Sequence, residues 1–257
     1  MLMTVLVCLF AGLGAGLGTG FAGMSAACII SPMLITFLDV PAYQAVGVAL
    51  ASDVLASAVS AYTYGKNKNL DIRNGLIMMI TVLCMTAFSS WLAHFVPNRT
   101  MGGFAMFMTL MVGIKFIVRP VMTTKDAMEG VSKKKRTLQS VAAGVAIGFI
   151  CGFVGAGGGM MMLLVLTSIL GYELKTAVGT SVFVMAFTAF TGAASHMVVG
   201  GMPDSTVLVL CIVFTLIFAR IAAKYANRID AKTQNRVTGI VLTLLGVAMI
   251  IMNYLVK

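Results

Sequence analysis

Charge is scarce in this sequence. Only 10% of the residues are Asp, Glu, Lys or Arg, where a soluble domain carries about a quarter. With 60% hydrophobic residues and a mean hydropathy of +1.01, the chain cannot coat itself with solvating side chains. An ordinary soluble fold is excluded and an integral membrane protein is expected. Histidine is nearly missing as well: His94 and His196 are the whole supply, and both stand near the outer ends of apolar runs. Five cysteines, Cys8, Cys28, Cys84, Cys151 and Cys211, fall inside apolar stretches without CxxC or Cys/His spacing. That argues against a disulfide framework and against a zinc site. The 21 methionines read as packing or lipid-facing residues rather than copper ligands. There is no Walker A loop, no GxSxG turn and no His/carboxylate pair at metal-ligand spacing, so neither an ATP-driven pump nor an enzyme is expected. No metal and no cofactor are implied.

What is present is apolar length. Charge-free stretches cover 1–38, 74–98, 100–114, 137–172, 205–219 and 237–256, and only Asp53 interrupts 40–65. One crossing helix needs roughly 20 apolar residues, which gives room for six spans: 42–64, 74–96, 100–119, 174–199, 205–224 and 236–256. Two longer, glycine-broken stretches remain, 1–38 and 137–171. The first lacks the basic leader of a secretory signal and is read as retained structure. The net charge of +10 is concentrated in loops rather than on a nucleic-acid-binding face. Sixteen of the eighteen Lys and Arg fall in 65–73, in 115–136, at Lys175 or in 220–236, and only Arg99 and Lys257 lie elsewhere. Placing the sixteen in the cytoplasm satisfies the positive-inside rule and leaves both termini outside.

The sequence also repeats itself. A shift of 132 residues superposes 12–61 on 144–193 without a gap, pairing Gly12/Gly144, Gly16/Gly148, Gly20/Gly152, Gly23/Gly155 and the Ala-Val-Gly run at 45–47 with that at 177–179. Loop 65–73 is basic, whereas its counterpart near 200–205 carries only Asp204, so the two halves should cross the membrane in opposite senses. Each half must then cross an odd number of times, and each glycine-broken stretch must begin and end on one side. Arms 138–153 and 160–170 would reach only about 24 and 16 Å against a core of about 30 Å, which favours dipping helical hairpins over ten short crossings. The expected fold is an all-α polytopic membrane protein of two inverted repeats, each a glycine-tipped hairpin plus three spans. Its parts are a first repeat at 1–122, with hairpin 1–38, a basic cytoplasmic linker at 123–136, and a second repeat at 137–257, with hairpin 137–171.

Irregular backbone at membrane depth survives only where protein or a watery cavity satisfies it. Secondary transporters aim such broken-helix N-termini at anionic groups of the substrate. Gly155, Gly157, Gly158 and Gly159 open the arm 160–170, and Gly23, Met24 and Ser25 open the arm 26–38. Thr180 and Ser181, with Thr19 and Ser52, lie beside these tips and offer hydroxyls. Asp53 is the one carboxylate well inside a predicted span and is expected to carry a coupling proton; a structural carboxylate bonded to Ser52, Ser57 or a helix end is the alternative. The spacing of Gly12, Gly16, Gly144 and Gly148 also suits a helix-packing face.

The run Gly152–Gly159, of the form GxxGxGGG, is followed by Leu170-Gly171-Tyr172 and by Ala177-Val178-Gly179-Thr180-Ser181. With two such halves about a basic loop, the sequence resembles the TauE/SafE sulfite exporter family over nearly its whole length. The first half departs, with Ser25-Ala26-Ala27 where Gly157-Gly158-Gly159 stand in the second and Val48-Ala49 opposite Thr180-Ser181. The resemblance implies a secondary transporter, exporter-type or proton-coupled with alternating access, for sulfite, sulfoacetate or another organosulfonate. The alternatives are a passive anion channel and a cysteine-based membrane sulfur-transfer protein working through Cys28 or Cys151. The expected partners are a small sulfur anion and the lipid bilayer of the inner or plasma membrane, with no nucleic acid; a homodimer is compatible with the sequence.

Overall fold

A computed structural model describes residues 1–93, 101–124, 132–154 and 158–255. Among the described residues there are ten helices and no strand: α1 (Leu2–Ala22), α2 (Ala27–Leu38), α3 (Ala42–Lys66), α4 (Ile72–Ala93), α5 (Met101–Val118), α6 (Lys133–Val154), α7 (Gly158–Ser168), α8 (Leu174–Gly200), α9 (Ser205–Arg228) and α10 (Ala231–Leu255). The stops are local. Gly23 ends α1 in the left-handed region, φ 61°, which glycine enters without a Cβ penalty. Asp39 ends α2 at φ 51°, and Pro41 then starts α3. The Asp204 carboxylate caps α9 by accepting from the Thr206 and Val207 N–H groups, which hold its carboxyl below the usual carboxylate range.

Among the described residues four helices are long and apolar enough to cross a membrane: Leu2–Ala22, Gln44–Lys66, Leu174–Ala194 and Ser205–Arg228. Three of them match expected spans. The fourth corrects the expectation that both hairpin arms are short. At 1.5 Å per residue the 21 residues of α1 reach about 31 Å, whereas the 12 of α2 and the 11 of α7 reach about 18 and 16 Å. Each hairpin therefore has one long and one short arm. Counting only charge-free residues hid this in the second half, where α6 starts at Lys133 and takes Lys134, Lys135 and Arg136 into its first turn.

The shift of 132 that aligns the sequence also carries each of α1 to α5 onto α6 to α10, to within a few residues at each end. Packing follows the same correspondence, with α1 on α9, α4 on α6, α3 on α8 and α5 on α10. Glycines report the directions. Gly12, Gly16 and Gly20 of α1 meet Phe214, Ala219 and Ala222 of α9 in rising order, so these helices are parallel. Gly144 and Gly148 of α6 meet Thr81 and Met85 of α4 in the same way. In contrast, Gly47 of α3 faces His196 of α8 while Gly192 faces Leu50, so the equivalent helices α3 and α8 are antiparallel. In the other equivalent pair, Gly113 of α5 faces Thr243 of α10 and Gly246 faces Leu110, which is again antiparallel. A Cβ on Gly16 would lie 2.7 Å from the Ala219 nitrogen, so these glycine rows serve close helix contact.

The surface departs from that of a soluble protein, while the core remains largely apolar. Phe10, Ile80, Ile117, Val209, Ile221 and Leu244 are exposed, while Thr19, Ser52, Asp53, Ser57, Ser181, Gln234 and Thr238 are buried. Large apolar side chains outside, with a few polar groups set into the interior, suit a helical bundle solvated by lipid.

Candidate functional site

The end of α1 breaks the helix inside the bundle, and three carbonyls there accept from hydroxyls. Tyr64 of α3 donates to the Gly20 carbonyl at 2.9 Å, Thr238 of α10 to that of Phe21 at 3.2 Å and Thr19 to that of Met24 at 2.8 Å. The Gly23 N–H returns to the Thr19 carbonyl and the Met24 N–H to that of Gly18. Met24 itself is fully buried. The tip is thus fixed by three helices, α1, α3 and α10, as irregular backbone away from water requires.

Asp53, from the middle of α3, reaches the first turn of α2. It is 1% exposed. One carboxylate oxygen accepts from the Ser25 hydroxyl at 2.7 Å and the other from Ser57 at 2.8 Å, with the Ala26 backbone N–H as a further partner. The Ser25 oxygen also accepts from the Ala27 N–H. The positive end of α2 is therefore filled by a carboxylate of the protein itself. Ser52, a partner considered from sequence, instead back-bonds to the Val48 carbonyl.

The two tips meet. The buried Ser181 hydroxyl of α8 lies 3.3 Å from the carbonyl oxygen of Gly23 and 3.3 Å from that of Gly159, so its proton bridges both hairpins. A Cβ built on Gly159 would run into the Gly23 carbonyl oxygen and the Met185 sulfur. Under the shift of 132, Met185 is the counterpart of Asp53 and Gly157 that of Ser25. The second half thus carries a thioether beside its tip where the first half carries a carboxylate. Gly158 opens α7; Gly155 and Gly157 lie outside the described residues. Thr180 is turned elsewhere, its hydroxyl oxygen accepting from the Asp71 N–H at the start of α4.

Of the residues singled out from sequence, Gly23, Ser25, Asp53, Gly159 and Ser181 come together, whereas the buried Thr180 hydroxyl is directed to the start of α4. Sequence reasoning missed Tyr64, Thr238 and Met185. The repeat contained the signal for the last, because the change of Gly157 to Ser25 is matched by a change of Met185 to Asp53. Among the described residues no three His, Cys, Asp or Glu side chains gather. Cys28 is buried in α2, and the Cys151 side chain lies outside the description.

The sequence is also similar to known membrane proteins. It is 25% identical over 249 residues to the probable membrane transporter protein YunE of Bacillus subtilis, covering 91% of this chain and 90% of that protein. It is 24% identical over 212 residues to the probable membrane transporter protein YdhB of the same organism, covering 82% and 86%. A probable membrane transporter protein of Haemophilus influenzae is 26% identical over 207 residues, covering 78% and 76%. The model of the family described as sulfite exporter TauE/SafE matches residues 8–249, and with nearly the whole helical bundle inside that match, this chain belongs to the TauE/SafE family of membrane transporters.

Proposed function

We propose that this protein is a secondary transporter that moves a small sulfur-containing anion, sulfite or an organosulfonate, across the cell membrane without converting it, and that the anion is held where the two hairpin tips meet. The observation that carries the reading is the bridge from the Ser181 hydroxyl to the carbonyls of Gly23 and Gly159. It brings the broken-helix segments of both halves to one place, as in transporters built from discontinuous helices. The tips are not equivalent in this reading. Asp53 already occupies the N-terminal end of α2, so the substrate takes the corresponding place at α7. There the glycines 155 and 157–159 let an oxyanion approach backbone N–H groups, with Met24 and Ser25 of the facing tip alongside. Protonation of Asp53 releases Ser25 and couples anion movement to a proton. Thr180, tied to the start of α4, links the tip to the cytoplasmic loop.

The halves are inverted in this reading, with both termini outside. The antiparallel packing of α3 on α8 and of α5 on α10 supports it, since helices in equivalent places run in opposite senses. A cysteine at exposed Met202, on an otherwise cysteine-free background, should label from outside intact cells. One at exposed Asn67 should label only after permeabilisation. Labelling of both from the same side would contradict the inversion. For the function itself, purified protein should bind sulfite, isethionate or sulfoacetate saturably and acetate far more weakly. A protein that binds none of the sulfur anions would overturn the reading.

A further inference from the structure

Among the described residues several buried side-chain atoms have no hydrogen-bond partner, and Gln234 is the one residue with both its side-chain polar atoms in that state. Asn235, in the first turns of α10, uses its whole side chain: its oxygen accepts from the Val121 N–H at 2.7 Å, and its nitrogen donates to the carbonyls of Val121 and Ala231. Gln234, beside it, is 0% exposed, and neither its oxygen nor its nitrogen has a hydrogen-bond partner. A carboxamide offers two N–H donors and an acceptor oxygen. Leaving all of them unmade in a buried place is penalised and rarely tolerated without a reason. The position supplies one. Gln234 stands one turn before Thr238, on the same face of α10, and Thr238 bonds the Phe21 carbonyl two residues before the chain leaves α1 at Gly23. Helical side chains lean toward their own N-terminus, so the amide lies beyond the end of α1 at the shoulder of the first tip.

We propose that Gln234 is a substrate-binding residue and that it selects anions carrying a hydrogen-bond donor beside their anionic oxygens. The amide N–H groups donate to an anionic oxygen, and the amide oxygen accepts from a hydroxyl or other donor on the same molecule. Hydrogen sulfite and the hydroxyalkyl sulfonates satisfy both sides, whereas a sulfonate without a donor satisfies one. A neutral amide also lets the anion go, as a transport step requires. Under the repeat the counterpart of Gln234 is Gly102, so this selectivity belongs to one half only, as Asp53 does. The inference rests on the proposed anion transport.

Isethionate and ethanesulfonate, which differ by one hydroxyl, provide the test. Their affinities would be measured by titration calorimetry on purified wild type, Gln234→Leu and Gln234→Met. Wild type should prefer isethionate by about tenfold, the scale of one well-made hydrogen bond. Both variants should bring the two ligands within about twofold, weaken isethionate more than ethanesulfonate, which loses only the N–H donation, and melt no lower, since they remove groups that have no partner in the fold. A preference that persists in the variants overturns the proposal, as does a wild type that binds the two sulfonates equally, in which case the amide meets only water. Failure of both variants to give monodisperse protein also overturns it, because the amide is then structural. A wild type that binds neither sulfonate and no sulfite defeats the transport reading itself.

Discussion

Gly159→Ala is expected to weaken anion binding by at least tenfold in a protein that still folds into the membrane. The added Cβ would meet the Gly23 carbonyl oxygen and the Met185 sulfur. Met185 can move, but the carbonyl belongs to a tip held by Tyr64, Thr238 and Ser181. The tips must therefore separate, at a cost of about 1–3 kcal/mol for overpacking, and a tenfold loss needs only about 1.4 kcal/mol. Gly47→Ala is the control, because a Cβ there makes an ordinary contact 3.4 Å from the His196 Cβ. Wild-type affinity in purified Gly159→Ala would mean that the glycines serve packing and that the anion binds elsewhere.

Asp53→Asn should separate coupling from binding. The substitution keeps the shape and one acceptor oxygen but removes the titrating group and replaces the other acceptor with an NH2, so Ser25 and Ser57 can no longer both donate to it. Burying the carboxylate charge costs on the order of 2.5–3.5 kcal/mol on the insertion scale, which the two hydroxyls and the end of α2 offset. In proteoliposomes the variant should lose accumulation driven by a pH gradient while keeping exchange of labelled for unlabelled anion. Accumulation that follows the pH gradient as in wild type would reduce Asp53 to a structural residue.

Much of the helix inventory could be read from apolar runs and glycines, because lipid leaves few ways to satisfy a backbone. The spans at 42–64, 174–199 and 205–224 lie close to α3, α8 and α9. The lengths of the hairpin arms were less legible. Lys133 to Arg136 look like linker to a charge count, yet a helix continues through them, since long basic side chains can snorkel from a span's end. At the site, the glycine runs and the isolation of Asp53 pointed to the tips. They did not reveal that Asp53 reaches across to Ser25, because that contact depends on where a turn places a side chain 28 residues away. Thr180 and Ser181 are adjacent in sequence but diverge in role. Their side chains leave α8 about 100° apart, one toward Asp71 and the other toward the tips.

Counterflow tests the central claim most directly. Proteoliposomes containing the wild-type protein, loaded with unlabelled sulfite and diluted into labelled sulfite, should take up label transiently above its external concentration, with a saturable rate. Uptake should be far slower when the vesicles are loaded with acetate. An alternating-access carrier must show this exchange. A flux that rises linearly with sulfite and ignores what is loaded on the far side would contradict the account and leave a passive pore.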